Sequence, residues 1–285
     1  MDPVPGVVDF GTSEIKRGGN TPDSAAIFCL PAGEAPNRVF PHHMKHTFLL
    51  ALALTLGSAS FVAAEDAAIN TLTPAEKAAG WKLLFDGKSL DGWHNFKSQT
   101  VKPGWVVKDG SLVCADPHNA SDIVTAGQFD WFELQLDYNI SEGGNSGIIF
   151  HSTDKGGAVW ATGPEFQLED NAKAADPQRC GWLYALYQPD IDPKTGKTLD
   201  ATKPAGEWNH VRLLVTPEKC VHEINGVKYF EYVMHSDDFN ARVAKSKFGK
   251  MPNFCKDDLG YIALQGDHGS VSFRNIKVLP IAAKK

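Results

Sequence analysis

The sequence predicts an all-β protein, a sandwich of two antiparallel sheets with one short N-terminal helix. Three observations carry that expectation. Residues 131–140 alternate apolar and polar side chains over ten positions, the period of a half-buried strand. Asp109-Gly110 and Asn225-Gly226 each sit between strand-like runs, which is the signature of a tight hairpin. Helical periodicity is strong at only one place, near the start of the folded region.

That helix is well marked. Thr73 can cap it, Pro74 suits its first turn, Glu76 completes a capping box and Gly80 ends it. Residues 81–85 then read as a strand, and 106–113 as a hairpin about Asp109-Gly110. After residues 131–140 come two runs of special interest, 145–151 and 164–170. Strands follow at 208–215, 220–224, 227–233, 261–265 and 270–279. Residues 188–206 and 236–258 read as long surface loops, which in a sandwich often form the rim of a binding site. There is no internal repeat and no second domain.

The chain begins with segments of a different kind. Met44-Lys45-His46 precedes an apolar run through Leu56, and Val62-Ala63-Ala64 precedes Glu65. A short basic start, an apolar centre and a small-residue end make residues 44–64 a secretory signal peptide, cleaved near Ala64. The mature chain is then expected to be periplasmic or extracellular. The apolar run is too short for a comfortable membrane span, and no cysteine sits at the cleavage point to carry a lipid anchor. Residues 1–43, rich in proline, glycine and small polar residues, read as a disordered extension or a misassigned start. The remaining organisation is a linker and helix at 65–80, one sandwich domain at 81–280, and a tail at 281–285.

A net charge of −6, spread without a basic stripe, argues against nucleic acid as a partner. Cys114, Cys180, Cys220 and Cys255 fall in the exported part. An even number in an oxidising compartment permits two disulfides in three pairings, with buried free thiols as the alternative. No CxxC spacing suggests a structural zinc.

The run Glu165-Phe166-Gln167-Leu168-Glu169 is the most informative in the chain. One face would pack Phe166 and Leu168 into a core, and the other would display carboxylate, amide and carboxylate in a row. If Gly147, Ile149 and His151, the polar face of 165–169, and Tyr261, Ala263 and Gln265 line one concave sheet face, then His151, Glu165, Gln167, Glu169 and Gln265 converge. Such a set offers a base, an acid and neutral hydrogen-bonding groups, the mix that sugar hydroxyls need. Asn145, Trp160, Tyr184 and His268 lie close enough in sequence to join it, the aromatics as platforms for a sugar ring. Asp267 and His268 are placed on the rim. Arg274 is read either as substrate-binding or as a structural partner of a carboxylate. Asp86-Gly87 and Asp91-Gly92 are read as turns, and Trp81, Trp93, Trp105 and Trp208 as core.

A series of motifs in this order resembles the 3-keto-disaccharide hydrolase domain family. They are residues 80–93 (Gly-Trp-Lys-Leu-Leu-Phe-Asp-Gly-Lys-Ser-Leu-Asp-Gly-Trp), Asn145-Ser146-Gly147-Ile148, residues 163–167, Gly206-Glu207-Trp208-Asn209, Ile224-Asn225-Gly226, residues 260–269 and Phe273-Arg274-Asn275-Ile276. The resemblance covers residues 73 to 280 and implies a concanavalin A-like jelly roll. It also implies a chemistry. A ketone at C3 of a glycoside makes the C2 hydrogen acidic; a base removes it, the enolate expels the group at C1, and water adds across the double bond. That route needs a base near C2, an electrophile at the C3 oxygen and an acid for the leaving oxygen. Glu165 or His151 is expected as the base, and Glu169 or the remaining partner as the acid. Gln167 and Gln265 are expected to bind hydroxyls or the carbonyl. A divalent metal held by histidine and glutamate could polarise the ketone, although no ligand spacing demands one. An upstream sugar 3-dehydrogenase is the implied pathway partner. Where relatives commonly carry arginine after the Asn-Ser-Gly strand, this chain has His151.

Two other readings compete. A conventional retaining glycoside hydrolase on a jelly roll places three carboxylates on alternate positions of one strand, and 165–169 resembles this with Gln167 in the centre. A non-catalytic, laminin-G-like carbohydrate-binding module would need no catalytic pair. The catalytic reading requires Glu165 to face an open hollow and to share it with the imidazole of His151.

Overall fold

Alternation in sequence becomes alternation in burial. The computed structural model describes residues 68–282; the expected signal peptide at 44–64 and the expected extension at 1–43 lie outside the described residues. In β6 (Phe132–Ile140), Phe132, Leu134, Leu136, Tyr138 and Ile140 are buried, and the residues between them are half-exposed. The same pattern holds in β9 (Asn209–Val215). The other strands are β1 (Lys82–Leu83), β2 (Trp93–Asn95), β3 (Trp105–Lys108), β4 (Ser111–Cys114), β5 (Ile123–Thr125), β7 (Asn145–Ser152) and β8 (Glu165–Glu169). The last four are β10 (Cys220–Ile224), β11 (Val227–Tyr232), β12 (Tyr261–Leu264) and β13 (Val271–Pro280).

These strands form two wholly antiparallel sheets, as expected. The larger runs β11-β10-β9-β6-β13-β4-β3, with β1 paired to β13, and the smaller runs β2-β5-β12-β7-β8. Trp105, Phe132, Leu136, Phe150, Phe166 and Phe273 belong to one buried cluster between them. Each such side chain contributes about 1.5–3 kcal/mol relative to an exposed one. The hairpins about Asp109 and Asn225 are present, and both residues adopt the left-handed backbone that these turns require.

Helix α1 (Pro74–Ala79) forms with its capping box intact. The Glu76 amide donates to Thr73 Oγ1 at 3.2 Å, and the Thr73 amide donates to Glu76 Oε2 at 2.8 Å. The expected strand at 81–85 shrinks to two paired residues. Strands β2 and β5, which are short and lack a full period, were not read from the sequence. The connection at 236–258 is not a plain loop. It holds helix α2 (Asp237–Lys245) and a 3-10 turn at Lys247–Lys250. Ser236 caps α2, acidic residues open it and basic ones close it, but only Phe239 is buried, so no apolar periodicity announced it.

The disulfide expectation is overturned. Cys114, Cys180, Cys220 and Cys255 are free and buried. Burial pushes the Cys114, Cys180 and Cys220 thiols up to about 12, so they behave as small apolar side chains. Among the described residues, no helix is long and apolar enough to cross a membrane.

Candidate active site

Strand β8 builds the site. Phe166 and Leu168 fill the core as expected, but the polar face is not an ordinary solvated one, because Gln167 and Glu169 are each 1% exposed and Glu165 only 8%. A strand-like segment shields the free edge of β8. The Tyr184 amide donates to the Glu165 carbonyl at 2.9 Å, and the Gln167 amide donates to the Trp182 carbonyl at 3.0 Å. The segment after α2 supplies Lys247 and Met251 above this face. Between them lies a hollow of about 480 Å³, within the usual range for small-molecule sites.

Glu165 and Gln167 form its floor, with Asn145 and Gln265 beside them. Gly147, paired with Gln167 on the neighbouring strand, makes room for the carboxyl: a Cβ there would lie 2.1 Å from Glu165 Oε1. The Gln167 amide, oriented by its neighbours, donates to Glu165 Oε1 at 3.2 Å and to the Ser146 carbonyl at 3.3 Å. Its oxygen accepts from Asn145 Nδ2 at 3.3 Å. Gln265 is pinned through its backbone, accepting from Ser146 Oγ at 2.9 Å and donating to the Gly147 carbonyl at 3.0 Å. Its side-chain oxygen is buried without a partner. An acceptor left bare in a polar hollow is suited to a ligand hydroxyl.

Charge is distributed unevenly around the hollow. Burial pushes the Glu165 carboxyl up to about 8, with the nearby Lys247 charge pulling the other way. The Lys247 ammonium lies 4.1 Å from the centre of the Tyr184 ring, a cation–π contact that holds it at the cavity wall. The Tyr184 hydroxyl is committed to Asp176 Oδ2 at 2.7 Å. On the rim, His268 Nδ1 is hydrogen-bonded to Asp267 Oδ1, which holds the imidazole above its usual pKa. Trp160 is 40% exposed and lines the cavity, where an indole is suited to packing against a sugar ring.

The structure therefore brings together Glu165, Gln167, Gln265, Asn145, Trp160, Tyr184 and His268, and leaves out three expected residues. His151 lies outside the hollow. Phe150 and His151 together oppose Ile262, a β-bulge between the pairs Ile149–Ala263 and Ser152–Tyr261. His151 has a φ of 54°, and the bulge breaks the alternation that should have aimed it outward. Its ring packs edge-on against Phe132 and Phe150, and Nε2 donates to the Asp130 carbonyl at 2.6 Å. Burial lowers its pKa to about 4, so it is neutral. Glu169 keeps its place in the row but is fully buried under Arg179, whose Nη1 lies 3.3 Å from its Oε1. Arg274 belongs to β13 in the other sheet, stacked 4.0 Å over Trp208 and 3.5 Å from Asp137, so the structural alternative holds for it.

The cavity residues that sequence reasoning missed are Lys247, Met251 and Asp176. All three come from segments with no strand period, and only their proximity in space reveals them. Among the described residues, no three or more His, Cys, Asp or Glu side chains are placed to hold a metal ion. The hollow that Glu165 and His151 were expected to share contains Glu165 alone of the two, so the base–acid pair expected from them does not form.

Residues 80–279 match the sequence profile of the 3-keto-alpha-glucoside-1,2-lyase-like domain. The chain belongs to that family. Every cavity residue of this lyase-like domain lies inside the matched region. A 3-keto-disaccharide hydrolase of Bacteroides thetaiotaomicron is 30% identical over 253 residues, 78% of this chain and 84% of that protein. A crystal structure of a candidate glycosyl hydrolase from Parabacteroides distasonis is 32% identical, with a TM-score of 0.68 over 75% of this chain and 100% of its own. A second from the same species is 26% identical, with a TM-score of 0.54 over 70% of this chain and 99% of its own. These likenesses agree with the two-sheet architecture of the lyase-like domain.

Proposed function

We propose that this protein is a carbohydrate-active hydrolase that cleaves 3-keto-glycosides, 3-keto-disaccharides among them, by elimination across C1–C2 followed by hydration. One observation carries this reading. The cavity holds a single buried carboxyl, Glu165, whose raised pKa makes it a strong base when ionised. An acidic carbon next to a ketone needs such a base. The Lys247 ammonium offers positive charge for the oxygen at C3, where negative charge develops. Gln167 and Gln265 offer an amide and a free acceptor to the hydroxyls. Family membership and the similarity to a 3-keto-disaccharide hydrolase support the same substrate class. The leader at 44–64 fits an exported enzyme, supplied by an upstream sugar 3-dehydrogenase. The direct test is turnover of 3-keto-trehalose or a 3-keto-glucoside beside the unoxidised sugar. Cleavage of the unoxidised sugar at a comparable rate would overturn the reading.

The retaining-glycosidase alternative needs two carboxyls facing one sugar, about 5 Å apart. Glu169 does not line the cavity and is engaged by Arg179. Glu169→Gln is therefore expected to keep turnover of a 3-keto-glucoside within a few-fold of wild type, measured as kcat. A loss matching that of Glu165→Gln would restore the paired-carboxylate mechanism.

The pH dependence follows from Glu165. A base must be ionised, so kcat/KM for 4-nitrophenyl 3-keto-glucoside, whose leaving group needs no acid, is expected to rise with pH toward about 8, the value to which burial moves this carboxyl. Stability should move the opposite way. The folded state holds this proton up to about 8, while the unfolded carboxyl releases it near 4.5. This group's contribution is therefore lost progressively as pH rises between those values. Thermal unfolding at pH 5 and pH 8 should show Glu165→Gln gaining on wild type at the higher pH.

A further inference from the structure

Elimination needs an acid for the departing oxygen, and neither sequence candidate can serve: His151 faces the core and Glu169 lies beneath Arg179. We infer that His268, oriented by Asp267, protonates the leaving group and then activates the water that completes hydrolysis. This rests on the 3-keto-glycoside reading of the same cavity. His268 lines the hollow with Glu165, and its Nδ1 is held by Asp267, which leaves Nε2 free for a substrate. The main chain fixes this corner. The Gly266 amide donates to Asp122 Oδ1 at 3.3 Å, and the Asn145 amide donates to the His268 carbonyl at 3.3 Å. Asp267, Asp122 and Glu165 are the acidic groups that face the imidazole, and all three favour its charged form. Of the other cavity groups that could carry a proton, Tyr184 and Asp176 are hydrogen-bonded to each other, and the Lys247 ammonium is held over the Tyr184 ring, where it serves the oxygen at C3.

The steps balance. Glu165 takes the C2 proton, and the C–H electrons form the enolate with the charge on O3. The enolate then collapses: C3=O re-forms, C1=C2 forms and the C1–O bond breaks. His268 Nε2–H gives its proton to the departing oxygen, which leaves as an alcohol. Neutral His268 next takes a proton from water as the water oxygen bonds to C1 of the enone. Glu165 returns its proton to C2, and both groups end as they began. His268 is the catalytic residue in this scheme, and Asp267 positions it.

Leaving-group dependence tests this. 4-Nitrophenolate departs without an acid, whereas a sugar alkoxide does not. His268→Asn should lose about 10²- to 10⁴-fold in kcat on a 3-keto-disaccharide, the range for removing a general acid. On 4-nitrophenyl 3-keto-glucoside it should lose far less in phenolate release and should accumulate the ultraviolet-absorbing enone. Imidazole added to His268→Ala should restore part of the disaccharide rate. The His268 and Asp267 side chains are 55% and 49% exposed, so both variants should fold. Equal loss on both substrates, or no loss on either, would overturn the assignment. Failure of wild type on every 3-keto-glycoside would overturn the functional reading itself.

Discussion

Replacing Glu165 by glutamine is expected to lower kcat on a 3-keto-glucoside by about 10²- to 10⁴-fold, with KM little changed. The substitution keeps the shape and the hydrogen bond from Gln167, but removes the only buried group in the cavity able to accept a proton from carbon. Folding should not suffer. A buried carboxyl costs free energy whenever it ionises, so the neutral amide is easier to bury above the unfolded pKa. The combination of lost turnover and unchanged or higher melting temperature at pH 8 separates a catalytic role from a structural one. Kinetics beside thermal unfolding at one pH would show it, and retained turnover would remove Glu165 from the mechanism.

Gly147→Ala is expected to lower both turnover and stability. The new methyl would meet Glu165 Oε1 at 2.1 Å and its Cδ and Cγ at 2.9 Å, so the carboxyl must move. It can move only toward the hollow, because Phe166 and Leu168 occupy the core side of β8 and Gln167 adjoins it. Displacement of a reacting group by about 1 Å can cost roughly 10²-fold in rate. Overpacking would also destabilise the fold by about 1–3 kcal/mol. Denaturant unfolding and kcat measured together should both fall. An unchanged kcat would show that the position of this carboxyl is not critical.

Sequence periodicity carried the fold well wherever one face of a strand is buried and the other wet. That describes β6, β9 and the hairpins about Asp109 and Asn225, and it aimed Glu165 and Gln167 correctly. It failed where one residue breaks the count. The bulge at Phe150–His151 is invisible in an apolar run, because Ile-Ile-Phe-His reads the same with or without an extra residue. Glu169 was misjudged for another reason. Its position in the row is right, but the arginine that covers it lies ten residues onward in a segment without period. Lys247 was beyond reach, since a mostly exposed helix and a 3-10 turn bring it to the cavity from a stretch that reads as loop. The cysteines misled through their number alone, because four thiols in a chain expected to be exported suggest bridges, whereas this core uses them as apolar fillers.

Proton removal from C2 distinguishes this chemistry from ordinary glycoside hydrolysis. The decisive measurement is a competition between 4-nitrophenyl 3-keto-glucosides carrying hydrogen or deuterium at C2, in which a good leaving group makes that proton transfer govern the rate. Preferential consumption of the protium substrate by wild type, abolished along with turnover in Glu165→Gln, is the predicted outcome. Equal consumption of both isotopologues at full wild-type activity would contradict it.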